Sequence, residues 1–548
     1  MTVQPGKTKI IEQFKADGLK FMFGNPGTVE QGFLDAVDNA RDFTYILALQ
    51  ETVAAGIADG YARATGGAAL LQLHSGVGLG NGIGMLYQSM RGHTPLVVVA
   101  GDAGVKYDVM DAQMASDLVA MARPVTKYAT RVTDPASVLR TIRRAVKIAL
   151  TPPRGPVFVA LPMDVLDAPN HEPVLPTAVP RTDAAPAEAA IGEAAALLAG
   201  ARRPLILAGD GVSLAGAQAE LTAVAELLGA DVWDVDFSEV TMAASHPLHR
   251  GATGHMFGEH SKELVRDADA VLIVGTYVFP EVFPELASPF ADGAKIVHID
   301  LNAYEIAKNH PVDLGIVADP KAALRSLAAS LARQLGPDRR GAAAERMAAR
   351  SAERDRARAE FAAGSHDGTP IEAFLAALAE QTGGDLIVFD EALTSSPLVT
   401  AYLPPDRPGD YHVTRGGSLG VGIPGAIGAK LARPDRTVVG FTGDGGSMYT
   451  YQALWTAARY GVDAKFVVCN NHKYRLLDDN IAQYWRERDI PQHDFPRSFD
   501  LAHPEIDFAG LARSLGADGV RVEKPGQAAD AVRRMLEHSG PFLVDLQI

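Results

Sequence analysis

The sequence predicts an α/β fold built from three consecutive, doubly wound parallel-sheet domains. Three observations carry that prediction. Short apolar runs alternate with helical patterns from end to end, as a parallel sheet covered on both faces requires. Two stretches of different composition, at 167–186 and 337–370, interrupt the alternation. The length of 548 residues leaves three α/β units of roughly 150–180 residues each.

In the first unit, residues 1–168, the apolar runs are Ile10–Phe23, Phe43–Leu49, Ala68–Leu73 and Leu96–Ala100. The stretch DAPNHEPVLPTAVPRTDAAP then reads as a linker, because its prolines and polar residues sustain neither period. The second unit, 187–335, offers Pro204–Ala208, Asp231–Val235, Ala270–Val274 and Lys295–Asp300 as buried strands. After it, RRGAAAERMAARSAERDRARAEFAAG has the composition of a solvated helix or a mobile connection. The third unit, 371–548, offers Asp385–Asp390, Thr437–Thr442, Ala464–Asn470 and Pro541–Gln547. No short-period solenoid repeat is present.

Composition narrows the function. Hydrophobic residues make up 47% and charged residues 21%, a globular balance that excludes disorder over the whole chain. A single cysteine excludes a disulfide framework and a multi-cysteine metal site. That residue, Cys469, lies in the apolar run FVVCN and reads as a buried, inert thiol. The net charge of −15, from 51 basic and 66 acidic residues, disfavours non-specific nucleic-acid binding and a polybasic membrane patch. No run of about 18 apolar residues suggests a membrane span. The N-terminal MTVQPGKTKIIEQFKADG has no signal core. A cytoplasmic protein without nucleic-acid or membrane partners is expected. Anionic ligands must then be held by backbone amides, helix N-termini or a metal ion.

The sharpest motif is in the third unit, in VVGFTGDGGSMYTYQALWTAARYGVDAKFVVCNNHKY. An apolar strand ends in Gly443-Asp444-Gly445, a helix follows, and a second apolar strand ends in Asn470-Asn471. The glycines permit a sharp turn and close backbone approach to a ligand. The helix after them offers free amides to a phosphate. Asp444 and Asn471 each end a strand, at the edge where open α/β sheets bind ligands. A carboxylate, an amide oxygen and the backbone carbonyl of Lys473 suit a hard divalent ion bridging phosphates. Either fragment alone is a turn. Together, roughly 25 residues apart, they resemble the diphosphate-binding motif of thiamine-diphosphate enzymes.

That resemblance implies a catalytic glutamate in the first unit, and YILALQETVAAGIADGYARATG puts Glu51 after an apolar strand at the start of a helix. In the family such a glutamate hydrogen-bonds the cofactor's aminopyrimidine and favours its imino tautomer. Read alone, Glu51 would be a carboxylate stabilised by a helix dipole. The segments FMFGNPGTVEQGFLDAV, LLQLHSGVGLGNGIG and GGSLGVGIPGAIGAKLA extend the likeness over the whole length, nearest to benzoylformate decarboxylase and acetolactate-synthase-like 2-oxo acid decarboxylases. The middle unit is its weakest part.

Carried over residue by residue, the resemblance makes His74 the active-site histidine, able to relay protons or hydrogen-bond a substrate carboxylate. Thr28 takes the place of a serine that contacts that carboxylate, keeping the hydroxyl and adding a methyl group. Asn25, Pro26 and Gly27 complete the loop facing the cofactor. Leu419 matches the apolar residue that buttresses the bent cofactor, unless it is plain core packing, and Gly417 fits close approach to the aminopyrimidine. Thr394, Gly443, Asp444, Gly445, Gly446, Ser447, Asn471, Lys473 and Tyr474 would hold the diphosphate. Asp444, Asn471 and the Lys473 carbonyl would hold Mg2+.

The departures are as informative. Benzoylformate decarboxylase has a second histidine in the middle unit, used in proton transfer after decarboxylation. The comparable stretch here is VGTYVFPEVFPELA, with Val282 at or near that position. The His-His pair of pyruvate decarboxylases is absent too, from AGDAGVKYDVMDAQ. There Asp102, Lys106, Tyr107 and Gln113 are polar candidates, Gln113 as a substrate contact. After Asn471, Arg475 could bind a second anionic group or simply pair with Asp478 or Asp479 on its own helix. Leu476, Leu477, Ile481 and Tyr484 could wall the substrate pocket or pack. His472 and Arg475 make the site less purely apolar than benzoylformate's. GDGVSLAG at Gly209–Gly216 is a lone glycine pattern, and no motif requires the FAD that acetolactate-synthase-like relatives bind in this unit.

The resemblance thus implies a thiamine-diphosphate- and Mg2+-dependent carbon–carbon lyase. Its domains would be pyrimidine-binding (1–168), central (187–335) and diphosphate-binding (371–548). The expected reaction is non-oxidative decarboxylation of a small 2-oxo acid to an aldehyde. The enzymatic alternatives are a carboligase of acetolactate synthase type and a 2-hydroxyacyl-CoA lyase, and the missing second histidine moves weight toward ligation. The non-enzymatic alternative is a thiamine-diphosphate-binding regulator. The family builds its site between chains, so Glu51 from one subunit and Asp444 and Asn471 from another are expected, in a homodimer or homotetramer.

Overall fold

Apolar runs bounded by glycine and proline become the strands, because interior strands of a parallel sheet are buried on both faces. The computed structural model describes residues 4–548 apart from 237, 365 and 367. They divide into two compact units, the first within 1–180, 367–398 and 414–548 and the second within 181–366 and 399–413.

The first unit holds two parallel sheets. One orders its strands Thr44–Leu47, Phe21–Gly24, Ala69–Leu73, Leu96–Asp102, Val157–Pro162 and Tyr128–Arg131. The apolar run Ile10–Phe23 is divided between the helix Gly6–Ala16 and the strand Phe21–Gly24, with Gly18 at φ +77° closing the helix. The chain reverses its winding between Phe21–Gly24 and Ala69–Leu73, so a crevice opens beyond those two carboxyl ends. In the other sheet, Ile387–Glu391, Val438–Gly443, Lys465–Asn470, Phe542–Gln547 and Asp518–Val522 lie side by side and parallel.

A continuous core, including Phe23, Ile57, Leu71, Phe389, Ile427 and Phe466, joins the two sheets. At its centre the helices Glu51–Thr65 and Gly422–Ala432 touch backbone to backbone. A Cβ at Gly60 would stand 2.7 Å from Gly425 Cα, and one at Gly428 2.5 Å from Tyr61 N. The small-residue sequences AAGIADG and PGAIG therefore serve close helix packing.

The second unit is a six-stranded parallel sheet in the order His249–Ala252, Asp231–Asp234, Pro204–Ala208, Ala270–Val274, Lys295–Asp300, Leu314–Val317. Gly209 and Gly211 open no cradle between its strand ends. Their amides donate to the Val274 and Gly275 carbonyls, and a Cβ on either would sit 2.5 Å from Thr276 or Gly275. The segment after this unit is a helix of 27 residues, Pro337–Ala363. Arginine forks hold it: Arg346 donates to the Gly229 carbonyl at 3.0 Å and Arg350 to Asp231 at 2.9 Å. Among the described residues, no helix is long and apolar enough to cross a membrane.

Candidate active site

Glu51 opens the helix Glu51–Thr65, where the Gln50 side chain caps the amides of Thr52 and Val53. The residue is 7% exposed, and its carboxylate accepts a 3.0 Å hydrogen bond from Asn81 Nδ2 at Oε2. Asn81 belongs to the helix Ser75–Arg91, whose face toward Glu51 is made of glycines. A Cβ at Gly78 would lie 2.7 Å from Glu51 Oε1. The run SGVGLGNGIG is therefore a trough that a buried carboxylate can occupy.

His74 follows the strand Ala69–Leu73, which Phe21–Gly24 separates from the strand before Glu51. Its Nδ1 lies 2.9 Å from Glu30 Oε2. Oε1 of the same carboxylate accepts the Gly101 amide at 3.0 Å. Burial raises the Glu30 carboxyl, and His74 with the amides of Gly101 and Ser75 draws it back down. Next to His74, Ser75 is buried at φ +43°, a conformation costly for a residue with a side chain and found preferentially at functional sites. Ser75 Oγ donates to the Met114 carbonyl at 3.0 Å. That bond holds the segment bearing exposed Gln113 over the start of the helix.

The loop Asn25-Pro26-Gly27-Thr28 leaves the strand beside that of His74. Asn25 Nδ2 donates to the Ala48 carbonyl at 2.8 Å, Thr28 and Pro26 are exposed, and a side chain at Gly27 would collide with the His74 imidazole. Asp102 is engaged elsewhere: Arg131 bridges it at 2.6 Å and Asp108 at 2.7 Å. Lys106 and Tyr107 are exposed on the loop that this bridge anchors.

On the second sheet of the same unit, Asp444 is buried at the end of Val438–Gly443. Its Oδ1 accepts the Gly445 amide at 2.8 Å. The Lys473 amide reaches both Asp444 Oδ2 and Asn471 Oδ1, each at 3.1 Å. One N–H thus brings together the two side-chain oxygens expected to ligate Mg2+. Burial raises the Asp444 carboxyl against the pull of these amides, so a divalent cation would offset a real desolvation cost. The Lys473 ammonium is drawn off to Asp478 at 2.8 Å, leaving its carbonyl as the candidate ligand. Among the described residues, no three His, Cys, Asp or Glu side chains converge as a metal site. The expected set has one carboxylate and takes the rest of its oxygens from amide, carbonyl and phosphate.

The glycines fit the diphosphate. A Cβ at Gly443 would meet open space, whereas one at Gly445 would collide with the Tyr474 ring. Gly446 and Ser447 are buried in the turn, with Ser447 Oγ donating to the Asp444 carbonyl at 2.8 Å. Thr394 is exposed beside Leu393, which has φ +49°. His472, at φ +57°, is the third side-chain-bearing residue in the left-handed region beside the predicted site. Gly417, at φ +71°, has open space around it, and Leu419 is half-buried in the same loop.

Arg475 pairs with Asp479 at 3.7 Å on its own helix, Leu477 is exposed beside it, and His472 Nε2 meets Gln547 Oε1 at 2.7 Å. Cys469 is buried, and desolvation pushes its thiol up, keeping it unreactive. Val282, in the second unit, is 52% exposed.

Three polar residues around the site have no counterpart among the sequence candidates: Glu30 before the helix Gln31–Asp38, Asn81 within Ser75–Arg91, and Glu391 at the end of Ile387–Glu391. Glu391 is the most buried of them. It accepts the amides of Gly420, Val421 and Gly422 at 2.6, 3.2 and 2.8 Å and the Thr442 hydroxyl at 3.1 Å. It therefore ties the Leu419 loop to the strand that ends at Gly443. The available signal was an acid closing an apolar run, as in IVFDE.

Comparison with known proteins gives the family of the chain. Residues 5–121 match the N-terminal TPP binding domain of thiamine pyrophosphate enzymes, 191–327 their central domain, and 394–546 their C-terminal TPP binding domain. Benzoylformate decarboxylase of Pseudomonas aeruginosa is 30% identical over 541 residues, covering 98% of this chain and 97% of its own. The acetolactate synthase large subunit of Lactococcus lactis subsp. lactis is 28% identical over 548 residues, covering 99% and 92%. The structure of a thiamine diphosphate-dependent 4-hydroxybenzoylformate decarboxylase from Rhodococcus jostii RHA1 superposes with a TM-score of 0.84 at 27% identity, covering 99% of each chain.

Proposed function

The chain belongs to the thiamine pyrophosphate enzyme family, of the decarboxylase and acetolactate synthase type, and from that premise we propose that it decarboxylates a small 2-oxo acid non-oxidatively to an aldehyde. The observation that carries this reading is the buried Glu51, which accepts a hydrogen bond from Asn81, with His74 following another strand of the same sheet. When bound, thiamine diphosphate supplies a nucleophilic carbon and an electron sink for the loss of CO2.

The remaining work falls to the chain. Glu51 Oε2 is occupied by Asn81, which leaves Oε1 to hold a proton against the aminopyrimidine. His74 holds or moves a proton at Nε2, and the Thr28 hydroxyl orients the substrate carboxylate. Gly417 and Leu419 would support the aminopyrimidine. Asp444, Asn471 and the Lys473 carbonyl would hold Mg2+.

Self-association completes the proposal, with Glu51 of one subunit serving the Asp444 site of another in a dimer or tetramer. Val77, Tyr87, Met448 and Tyr449 support it. These large apolar side chains stand exposed on the segments that follow His74 and Ser447. The proposed location is the cytoplasm. A second reading, carboligation, rests on Val282, which brings no imidazole to the place where the resembling decarboxylase carries its second histidine.

The test is CO2 release from aromatic, aliphatic and dicarboxylic 2-oxo acids with added thiamine diphosphate and Mg2+. Stoichiometric aldehyde is expected. CO2 with little aldehyde would favour ligation. No CO2 from any acid would overturn both readings and favour a thioester lyase.

A further inference from the structure

We propose that Glu30 is a positioning residue that grips His74 by Nδ1, so that Nε2 is the nitrogen presented to the reacting molecule. This rests on the reading of His74 as an active-site group, and it is carried by geometry. The two oxygens of Glu30 are committed to different strand ends, Oε2 to the imidazole at 2.9 Å and Oε1 to the Gly101 amide at 3.0 Å. Glu30 precedes the helix Gln31–Asp38, yet its side chain makes no cap hydrogen bond there. It turns inward and is 3% exposed. A charge is buried at the cost of a helix cap, which stability alone does not favour.

The imidazole is confined on its other sides. Gly27 backbone lies against the ring so closely that any side chain there would collide with it, and a Cβ at Gly78 would come within 3.1 Å of the His74 Cβ. Nε2 has no hydrogen-bond partner among the described residues, in contrast to Nδ1. The groups that face the Glu30 carboxylate are the His74 ring, the amides of Gly101 and Ser75, and the Tyr45 phenol. Tyr45 is itself tied to Gln72 at 2.5 Å. No lysine or arginine is among them.

The chemistry follows from donor counting. A carboxylate accepts at both oxygens, so it can take the Gly101 N–H and the His74 Nδ1–H at once. That fixes the Nδ1–H tautomer and leaves Nε2 an acceptor aimed away from Glu30. An amide in place of the carboxylate has one acceptor oxygen and an NH2 that faces an N–H, so one of the two contacts is lost.

The experiment uses full-length protein labelled with 15N at histidine, measured without and with thiamine diphosphate and Mg2+. The spectrum should place the His74 proton on Nδ1, assigned by its loss in His74→Ala. In Glu30→Gln the signal should move to mixed tautomers. Turnover should fall about 10–100-fold, the size seen when a group orienting a metal-bound histidine is removed, with thiamine diphosphate affinity unchanged. Glu30→Asp, which keeps the charge, should recover part of the loss. In a His74→Ala background Glu30→Gln should cost nothing further.

An Nε2–H tautomer in the parent protein would overturn the proposal, and so would the same loss with and without His74. If Glu30→Gln does not fold, the parent spectrum and Glu30→Asp still decide. If His74→Ala leaves turnover intact, the reading of His74 as an active-site group fails, while the tautomer measurement still judges the Glu30 contact.

Discussion

Gly60→Ala sets two effects of opposite sign against each other. In an isolated helix the change would stabilise by about 1 kcal/mol, because alanine restricts the unfolded chain and is the better helix former. Here the added Cβ would stand 2.7 Å from Gly425 Cα and closer still to the Gly425 carbonyl oxygen. Ordinary contact begins at 3.4 Å, so the helices must part by at least about 0.7 Å, on the steep side of the dispersion well. Both partners are backbone, so no rotamer change relieves the clash. Overpacking of this kind costs about 1–3 kcal/mol, and with the carbonyl involved the upper part of that range applies, outweighing the propensity gain.

The displaced helix is the one that begins at Glu51. A shift approaching 1 Å there should lower kcat by up to about 10²-fold, as misplacement of a reacting group does. Urea denaturation and steady-state kinetics with saturating thiamine diphosphate and Mg2+ measure the two effects. Gly192→Ala is the control: Gly192 sits in the helix Glu188–Ala199 with open space around its position, so stability should rise by about 0.4–1 kcal/mol with kcat unchanged. A Gly60→Ala protein as stable as its Gly192→Ala counterpart, with full turnover, would refute the close backbone contact.

Other predictions address the site. Glu51→Gln should keep thiamine diphosphate binding, followed by titration calorimetry, while turnover collapses; a protein that only binds the cofactor as a regulator would lose no function. Burial pushes the Glu391 carboxyl up to about 7 from its ordinary 4.5. The folded state then holds the proton more tightly than the unfolded one, and stability falls as pH rises from about 4.5 to about 7, by up to roughly 3 kcal/mol. In Glu391→Gln the slope in urea melts should shrink by this amount, Asp300, which burial also raises to about 6, still contributing, and a slope equal to the parent's would contradict the assignment. Val282→His should raise aldehyde released per CO2 if the missing imidazole limits the cycle; no gain would count against that explanation. Arg475→Ala should change KM less than twofold, since its partner is Asp479 in solvent, and a large KM increase would return it to substrate binding.

Several strands were hard to read in the sequence for a common reason. Tyr128–Arg131, His249–Ala252, Leu314–Val317 and Asp518–Val522 lie at sheet edges. Half-exposed, they carry charged or small residues (YATR, HRGA, DGVRV) instead of apolar runs. Val157–Pro162 is different: an interior strand whose run VFVALP is as clear as those of its neighbours. The helix Pro337–Ala363 was one of two open readings, because its composition gives solvation but not the arginine forks that dock it.

The sequence by itself determined the α/β class, the cofactor family and the strand ends that carry Glu51, His74, Asp444 and Asn471. These are strand–turn–helix features, complete within a few dozen residues, and local sterics oblige glycines and small polar residues to stand where they do. Only the tertiary structure decided which polar groups face one another. Glu30 meets His74 across 44 residues and Asn81 meets Glu51 across 30, contacts fixed by which strand lies beside which. It also decided that Arg475 is engaged with Asp479 and that the small residues around Gly60 are a helix contact. The physical reason is that burial and strand order choose a side chain's partner, and neither is written in spacing along the chain.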